Sequence, residues 1–226
     1  MLKIKPFMAA AILILAAGAG PVFAAAPTPQ TTTPALNADE LQVRNEWEKL
    51  KFTLPEGTKQ TQLMNRLGQI ADQLPVKYPN DPAAYIWDGI ITSERASMAS
   101  MFSALGLAKQ AKALLEKAYA MDPKALDAGA ATSLAVLYYR VPGFPIGFGD
   151  VNKARALLQQ AVQIAPNNLD AEYFYGDFLV GQHEYAHARQ VLTAALAIPV
   201  NPDRPLWDNN RRLVIQHLLN TIKDKT

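Results

Sequence analysis

An all-α, right-handed solenoid of about three to four irregular helix-pair repeats, finished by a C-terminal capping helix, is the fold the sequence predicts. Two observations predict it. Three stretches are near copies: Ala111 to Pro123 reads AKALLEKAYAMDP, Ala154 to Pro166 reads ARALLQQAVQIAP and Ala188 to Val200 reads ARQVLTAALAIPV, with starts 43 and then 34 residues apart. The links repeat as well, since PKALDA from Pro123 matches PNNLDA from Pro166, and PNDPAA from Pro79 is a looser third copy. Unrelated amphipathic helices would not share links, so the whole unit is duplicated. Stacked repeats of this kind bury a continuous core that no single unit could bury alone.

The elements follow in chain order. Lys3 and Lys5 precede an apolar run from Phe7 to Ala19, and Val22-Phe23-Ala24 offers a small-residue cleavage site. Residues 1–24 therefore read as a signal peptide and the mature protein as periplasmic. The run is short of the ~20 apolar residues a spanning helix needs, which disfavours the alternative of an uncleaved anchor. Residues 25–36, AAPTPQTTTPAL, have no apolar period and read as a flexible leader. Residues 37–226 then form one helical repeat domain. Cysteine is absent, which excludes disulfides, thiolate metal sites and a lipidated cysteine. Removing residues 1–24 leaves 20 basic residues against 20 acidic ones, a balance that points away from nucleic acid and from anionic surfaces. The mature chain is expected to have no membrane insertion and no cofactor.

Near Asp39 a helix begins, with Leu41, Val43, Trp47, Leu50 and Phe52 as a partial stripe, and Pro55-Glu56-Gly57 breaks it. A second helix is expected from Thr58 to Leu74, with Leu63, Leu67, Ile70, Ala71 and Leu74 on one face and Pro75 ending or kinking it. Asp81-Pro82 starts a third, because the carboxylate accepts from free amides while proline fits the first turn. It is expected to run toward Ser103, followed by the first copied helix, Leu105 to Met121. After the last copy, Asn201 to Pro205 form a break. Leu206, Leu213, Val214, His217, Leu218 and Ile222 then make the apolar side of an end helix, with Asn209, Asn210, Arg211 and Arg212 on a solvated face.

Counted from Leu169 as position one, Gly176 falls at eight, Tyr185 at seventeen, Ala188 at twenty, Leu192 at twenty-four and Ala195 at twenty-seven. These resemble the tetratricopeptide pattern, in which small residues let paired helices approach. Gly89 and Ser133 take position eight in the two earlier units. Glycine inside a helix costs about 1 kcal/mol against alanine, so its recurrence at one repeat position points to close packing.

His183-Glu184-Tyr185-Ala186-His187 fits the H-E-x-x-H pattern of zinc peptidases. In such a site the segment lies within one helix; here the repeat frame puts it on an inter-helix turn. A third ligand is not evident, because Gln190 and Thr193 occupy the extended-motif positions and His217, Asp203 and Asp208 lack a ligand context. No metal site and no catalytic residue are therefore assigned. A zinc-dependent hydrolase using His183, Glu184 and His187 stays as an alternative, as does a small-molecule carrier with a pocket near Tyr138, Arg140 and Tyr173.

The extra nine residues of the middle unit fall in Arg140 to Asp150, RVPGFPIGFGD. Its prolines and glycines forbid a helix, while Phe144, Ile146 and Phe148 are too apolar for a solvated linker, so the loop is expected to fold back onto its surroundings. It reads either as a structural plug or as a direct part of ligand binding. Asp150 is placed to cap the next helix. YYRVPGFPIGFGD from Tyr138, followed by YFYGDFL from Tyr173, resembles proteins related to the T component of tripartite ATP-independent periplasmic (TRAP) transporters. The resemblance runs from about Pro79 to the C terminus. It implies a non-enzymatic periplasmic adaptor that associates with solute-binding proteins, or with copies of itself. Members tethered by a lipidated cysteine have no counterpart here. The first helices of such units line a concave face, where Ile86, Ile90, Tyr138, Tyr173 and Asp177 are expected, with Arg140 at the loop mouth. The candidate partner-binding residues are Tyr138, Arg140, Phe144, Phe148, Tyr173 and Asp177, suited to hold a peptide or organic acid by stacking and bidentate pairing.

Overall fold

The computed structural model describes residues 35–226, so the expected signal peptide and the leader as far as Pro34 lie outside the described residues. The described chain is helical throughout: α1 (Ala38–Thr53), α2 (Thr58–Ala71), α3 (Leu74–Lys77), α4 (Pro82–Met98), α5 (Met101–Met121), α6 (Ala125–Arg140), α7 (Val151–Ile164), α8 (Leu169–Gly181), α9 (Tyr185–Ala197) and α10 (Pro205–Thr221). Four helix pairs result, α1–α2, α4–α5, α6–α7 and α8–α9, each packed against the next, with α10 against α8 and α9.

The copied stretches are buried at the same positions. Ala111, Ala154 and Ala188 are fully buried, as are Leu115, Leu158 and Leu192, and Ala118, Ala161 and Ala195. A Cβ built on Gly89 would come within 2.6 Å of Leu115, and one on Gly176 within 2.3 Å of Leu192, so glycine at position eight is the notch that receives the leucine of the second helix.

The first helices of successive pairs also touch one another: α1 meets α4, α4 meets α6, α6 meets α8 and α8 meets α10. The series does not stop there, because α10 also meets α1. Arg204 Nε donates to Glu48 Oε1 at 2.7 Å across this seam, joining residues 156 apart in sequence. The inner layer is therefore a closed circuit of five helices, not the open concave face expected. Five helices spaced roughly 8–10 Å apart have axes about 7–8 Å from their common centre, and each with its side chains takes up ~5–6 Å of that distance. The space left suits side chains and not a partner helix. Ile86 is fully buried among Ala118, Ala125 and Ala130, and Trp47 and Trp87 pack ring against ring at 5.9 Å.

Several boundaries differ from expectation for local reasons. The second helix ends at Ala71, and Pro75 falls in the separate single turn α3. The apolar buried face of α2 is Met64, Leu67 and Ala71, continued by Leu74 of α3, while Ile70 is exposed. The third helix stops at Met98, and α5 begins at Met101. In α10 the buried residues are Trp207, Asp208, Arg211 and Ile215, with Ile222 buried just beyond its end, whereas Leu213 and Val214 are exposed. Arg211 and Arg212 are thus not on a solvated face. Arg211 Nε lies 2.6 Å from Asp170 Oδ1 and its guanidinium stacks 4.2 Å from the Tyr173 centroid. Arg212 donates to Asp208 and to the carbonyls of Leu196 and Ile198, finishing the C-terminal end of α9.

The links copied in sequence are not copied in conformation. Asp81 caps α4 through the Ala83 amide, and Asn168 caps α8 through the Ala171 amide. The corresponding residue of the middle unit is Ala125, which has no side-chain oxygen. There α6 opens with Leu126, Asp127 and Ala128 in the left-handed region, at φ of 48°, 53° and 62°. Such a conformation costs non-glycine residues roughly 1–2 kcal/mol each.

Candidate binding site

The inserted loop is compact and self-supporting. Gly149 N donates to Pro142 O at 2.9 Å, the amides of Ile146 and Gly147 donate to Gly143 O at 3.1 Å, and Asp150 N donates to Tyr138 O at 2.9 Å. A Cβ on Gly149 would lie 1.9 Å from Val141 O, so only glycine lets the two arms approach this closely. Asp150 Oδ1 accepts from the amides of Asn152 and Lys153 and starts α7, as expected. Phe148 folds back edge-on against Tyr138 with centroids 5.9 Å apart. Phe144 and Ile146 do not fold back; they are 93% and 71% exposed, because the turn around Gly143 is closed by backbone hydrogen bonds that leave their side chains outside.

The candidate residues separate into three places. Tyr138 lines a groove between α5 and α7, and Phe148 packs against it. Arg140 and Asp177 meet on the opposite side of α6, where Asp177 Oδ2 accepts from Arg140 at 2.8 Å and from the Tyr139 hydroxyl at 2.6 Å. Burial, and then the Asp177 charge, push the Tyr139 phenol well above its ordinary range, so it remains a donor. Tyr173 is buried under Arg211, and burial followed by Asp177 raises its phenol too. Tyr139 is the residue that sequence reasoning missed in this cluster. The candidate Tyr138 is its neighbour in the double tyrosine, and one step along a helix changes the face by about 100°.

The groove beside Tyr138 has a volume of about 360 Å³, with Leu134, Ala156 and Leu157 among its walls. Two lysines stand at its rim, with Lys112 Nζ 5.8 Å and Lys153 Nζ 5.4 Å from the Tyr138 ring centroid. Lys112 is paired with Glu116 at 2.6 Å, and Glu116 also accepts from the Tyr138 hydroxyl at 3.3 Å. Tyr119 donates to Gln160 at 2.6 Å along the same wall. A second cavity of about 340 Å³ lies among Asn167, Asn168, Asn201 and Arg204.

The H-E-x-x-H residues do not share a helix. His183 lies in the turn after α8 with φ of 63°, a left-handed conformation suited to glycine, and its Nδ1 is 2.6 Å from the Tyr185 hydroxyl. Glu184 is the N-cap of α9 and is bonded to Arg155, which holds its carboxyl below the usual range. His187 packs edge-on against Tyr175 with centroids 5.4 Å apart. Among the described residues no three histidine, cysteine or carboxylate side chains are grouped to hold a metal ion.

Comparison with known proteins bears on the same architecture. Residues 146–208, from the end of the inserted loop into α10, match the tetratricopeptide repeat family. A solved thermophilic TPR protein of Thermus thermophilus superposes with a TM-score of 0.59 at 17% identity, over 81% of this chain and 80% of that one. The fold is a tetratricopeptide solenoid. No curated protein matches the sequence. In tetratricopeptide terms α4, α6 and α8 are first helices of their units and α5, α7 and α9 second helices. The groove under Tyr138 thus lies on the outer side, between two second helices, with the inserted loop at its end.

Proposed function

We propose that the chain is a non-enzymatic scaffold that binds another protein, and that its working surface is the inserted loop with the outer groove beside it. The tetratricopeptide fold supports the scaffold part, since repeat solenoids present extended surfaces to partners. The observation that carries the location is the exposure of Phe144 and Ile146 at the loop tip, next to an apolar groove, in a chain whose inner helices already close on one another. Exposed apolar side chains held on a rigid, self-bonded turn pay little ordering entropy when a partner covers them.

The finer reading is an adaptor in the periplasm that engages the solute receptor of a TRAP-type transporter. The lysine-flanked apolar run before Ala24 and the resemblance of the Tyr138–Asp150 and Tyr173–Leu179 segments support it. Among the proposed contacts, Phe144 and Phe148 act directly and Tyr138 forms the groove wall. Arg140, Asp177 and Tyr173 hold the helices that carry them. Affinity capture from the native envelope tests the reading. The wild-type chain is expected to retain one specific receptor-type protein, and Phe144→Ser with Ile146→Ser is expected to lose it at least about tenfold, as for a buried apolar anchor. Unchanged retention by that variant overturns the proposed surface.

A further inference from the structure

We infer that the groove between α5 and α7 takes an apolar side chain of the partner followed closely by a carboxylate, the apolar group lying on Tyr138 and Leu157 and the carboxylate on Lys153. This rests on the scaffold reading and names the chemistry of the occupant.

The charges at the rim carry the argument. Lys112 and Lys153 both stand over the Tyr138 face, but they are not equivalent. Lys112 has a close carboxylate in Glu116 at 2.6 Å. Among the described residues Lys153 has only Asp150 Oδ2, at 3.9 Å, and the other oxygen of Asp150 is committed to the amides that start α7. The Lys153 side chain is 63% exposed and its contact with Asp150 is long, so an incoming carboxylate competes only with that loose pair. The tyrosine ring fixes the ammonium over the groove through its negative face and leaves the donors available.

Size and surroundings decide between occupants. A volume of about 360 Å³ holds one or two side chains and excludes a whole helix. Phe148 packs on Tyr138, and the same short loop carries the exposed Phe144 and Ile146. Contact surface therefore extends beyond what a free organic acid would cover, which favours a peptide segment of a protein. The groove is concave and each of its two lysines already faces a carboxylate, Glu116 or Asp150, a poor match to a flat anionic bilayer.

Blocked hexapeptides test this. Acetyl-Ala-Leu-Phe-Glu-Ala-Ala-amide is titrated against the full folded chain and compared with versions carrying Gln or Lys in place of Glu, with methyl and amide NMR shifts as the readout. The expected result is perturbation of Leu134, Leu157, Phe148 and Lys153, with the Gln peptide about tenfold weaker and the Lys peptide weaker still. Lys153→Met should abolish the Glu-over-Gln preference while keeping the apolar contribution, and Lys153→Glu should reverse it in favour of Lys. Both changes are at an exposed side chain, and circular dichroism checks that the helices persist. Absence of peptide binding, equal binding of the Glu and Gln peptides, or shifts elsewhere overturns the inference. So does binding of phosphatidylglycerol vesicles, or concentration-dependent dimerisation, that Lys153→Glu abolishes. If native partner capture survives Lys153→Glu but is lost with the loop-tip variant, this inference fails and the scaffold reading stands. If capture survives both, the scaffold surface fails as well.

Discussion

The middle helix pair, α6–α7, and the last, α8–α9, derive from one template and differ wherever the chain turns. In the last pair Asn168 caps the first helix, Gly176 receives Leu192, and a three-residue turn at Gln182–Glu184 leads into α9. In the middle pair Ala125 stands where the cap should be, Ser133 replaces the notch glycine, and ten residues separate the helices. The corresponding alanines and leucine of the second helix are nevertheless equally buried. The framework thus resides in a few small and large residues on facing helices, and the ends of the helices are free to diverge. It is at such an end that the candidate binding surface has been built.

Changes at corresponding positions should therefore have unequal effects. Gly176→Ser should destabilise by about 1–3 kcal/mol through overpacking against Leu192, while Ser133→Gly costs about 1 kcal/mol from backbone entropy alone. Denaturant midpoints of the two variants measure this, and equal losses would break the notch argument. At the junction between the pairs, Asp177→Ala leaves the Tyr139 hydroxyl without its acceptor and should cost about 1–2 kcal/mol; adding Tyr139→Phe should recover part of it in a double-mutant cycle. Ala125→Asn supplies the missing cap and should stabilise by about 1 kcal/mol if α6 then starts as α8 does. A melting temperature at or below wild type would show that packing around Ala125, not the cap, sets the left-handed start. His183→Gly relieves a positive φ in the last pair and should gain about 0.5 kcal/mol, a shift of a degree or two in Tm.

The repeat was legible because the alanine–leucine–alanine spacing recurs unchanged and those residues are fully buried in each copy. The inserted loop was legible as an interruption, and Asp150 as a cap, because both depend on local chemistry. Direction around the first helices was not. Tyr138, Tyr139 and Tyr173 lie on helices packed on several sides, which erases the one-sided pattern that tells inside from outside. Arg211 and Arg212 read as solvated for a related reason: their heads are matched by Asp170, Asp208 and two helix-end carbonyls, partners visible only once α10 is in place. The closure of the inner layer was the least legible feature, since Glu48 and Arg204 look like ordinary surface charges.

That closure changes how the repeats share stability. A linear stack can fray from either end, each terminal unit answering to one neighbour alone. Here the meeting of α1 with α10 gives every inner helix a neighbour on both sides, so there is no outermost unit from which melting can start. Damage at residues near 204 is then felt by helices that begin at residue 38. The array should unfold as one cooperative body, and shortening it at either terminus should loosen the other.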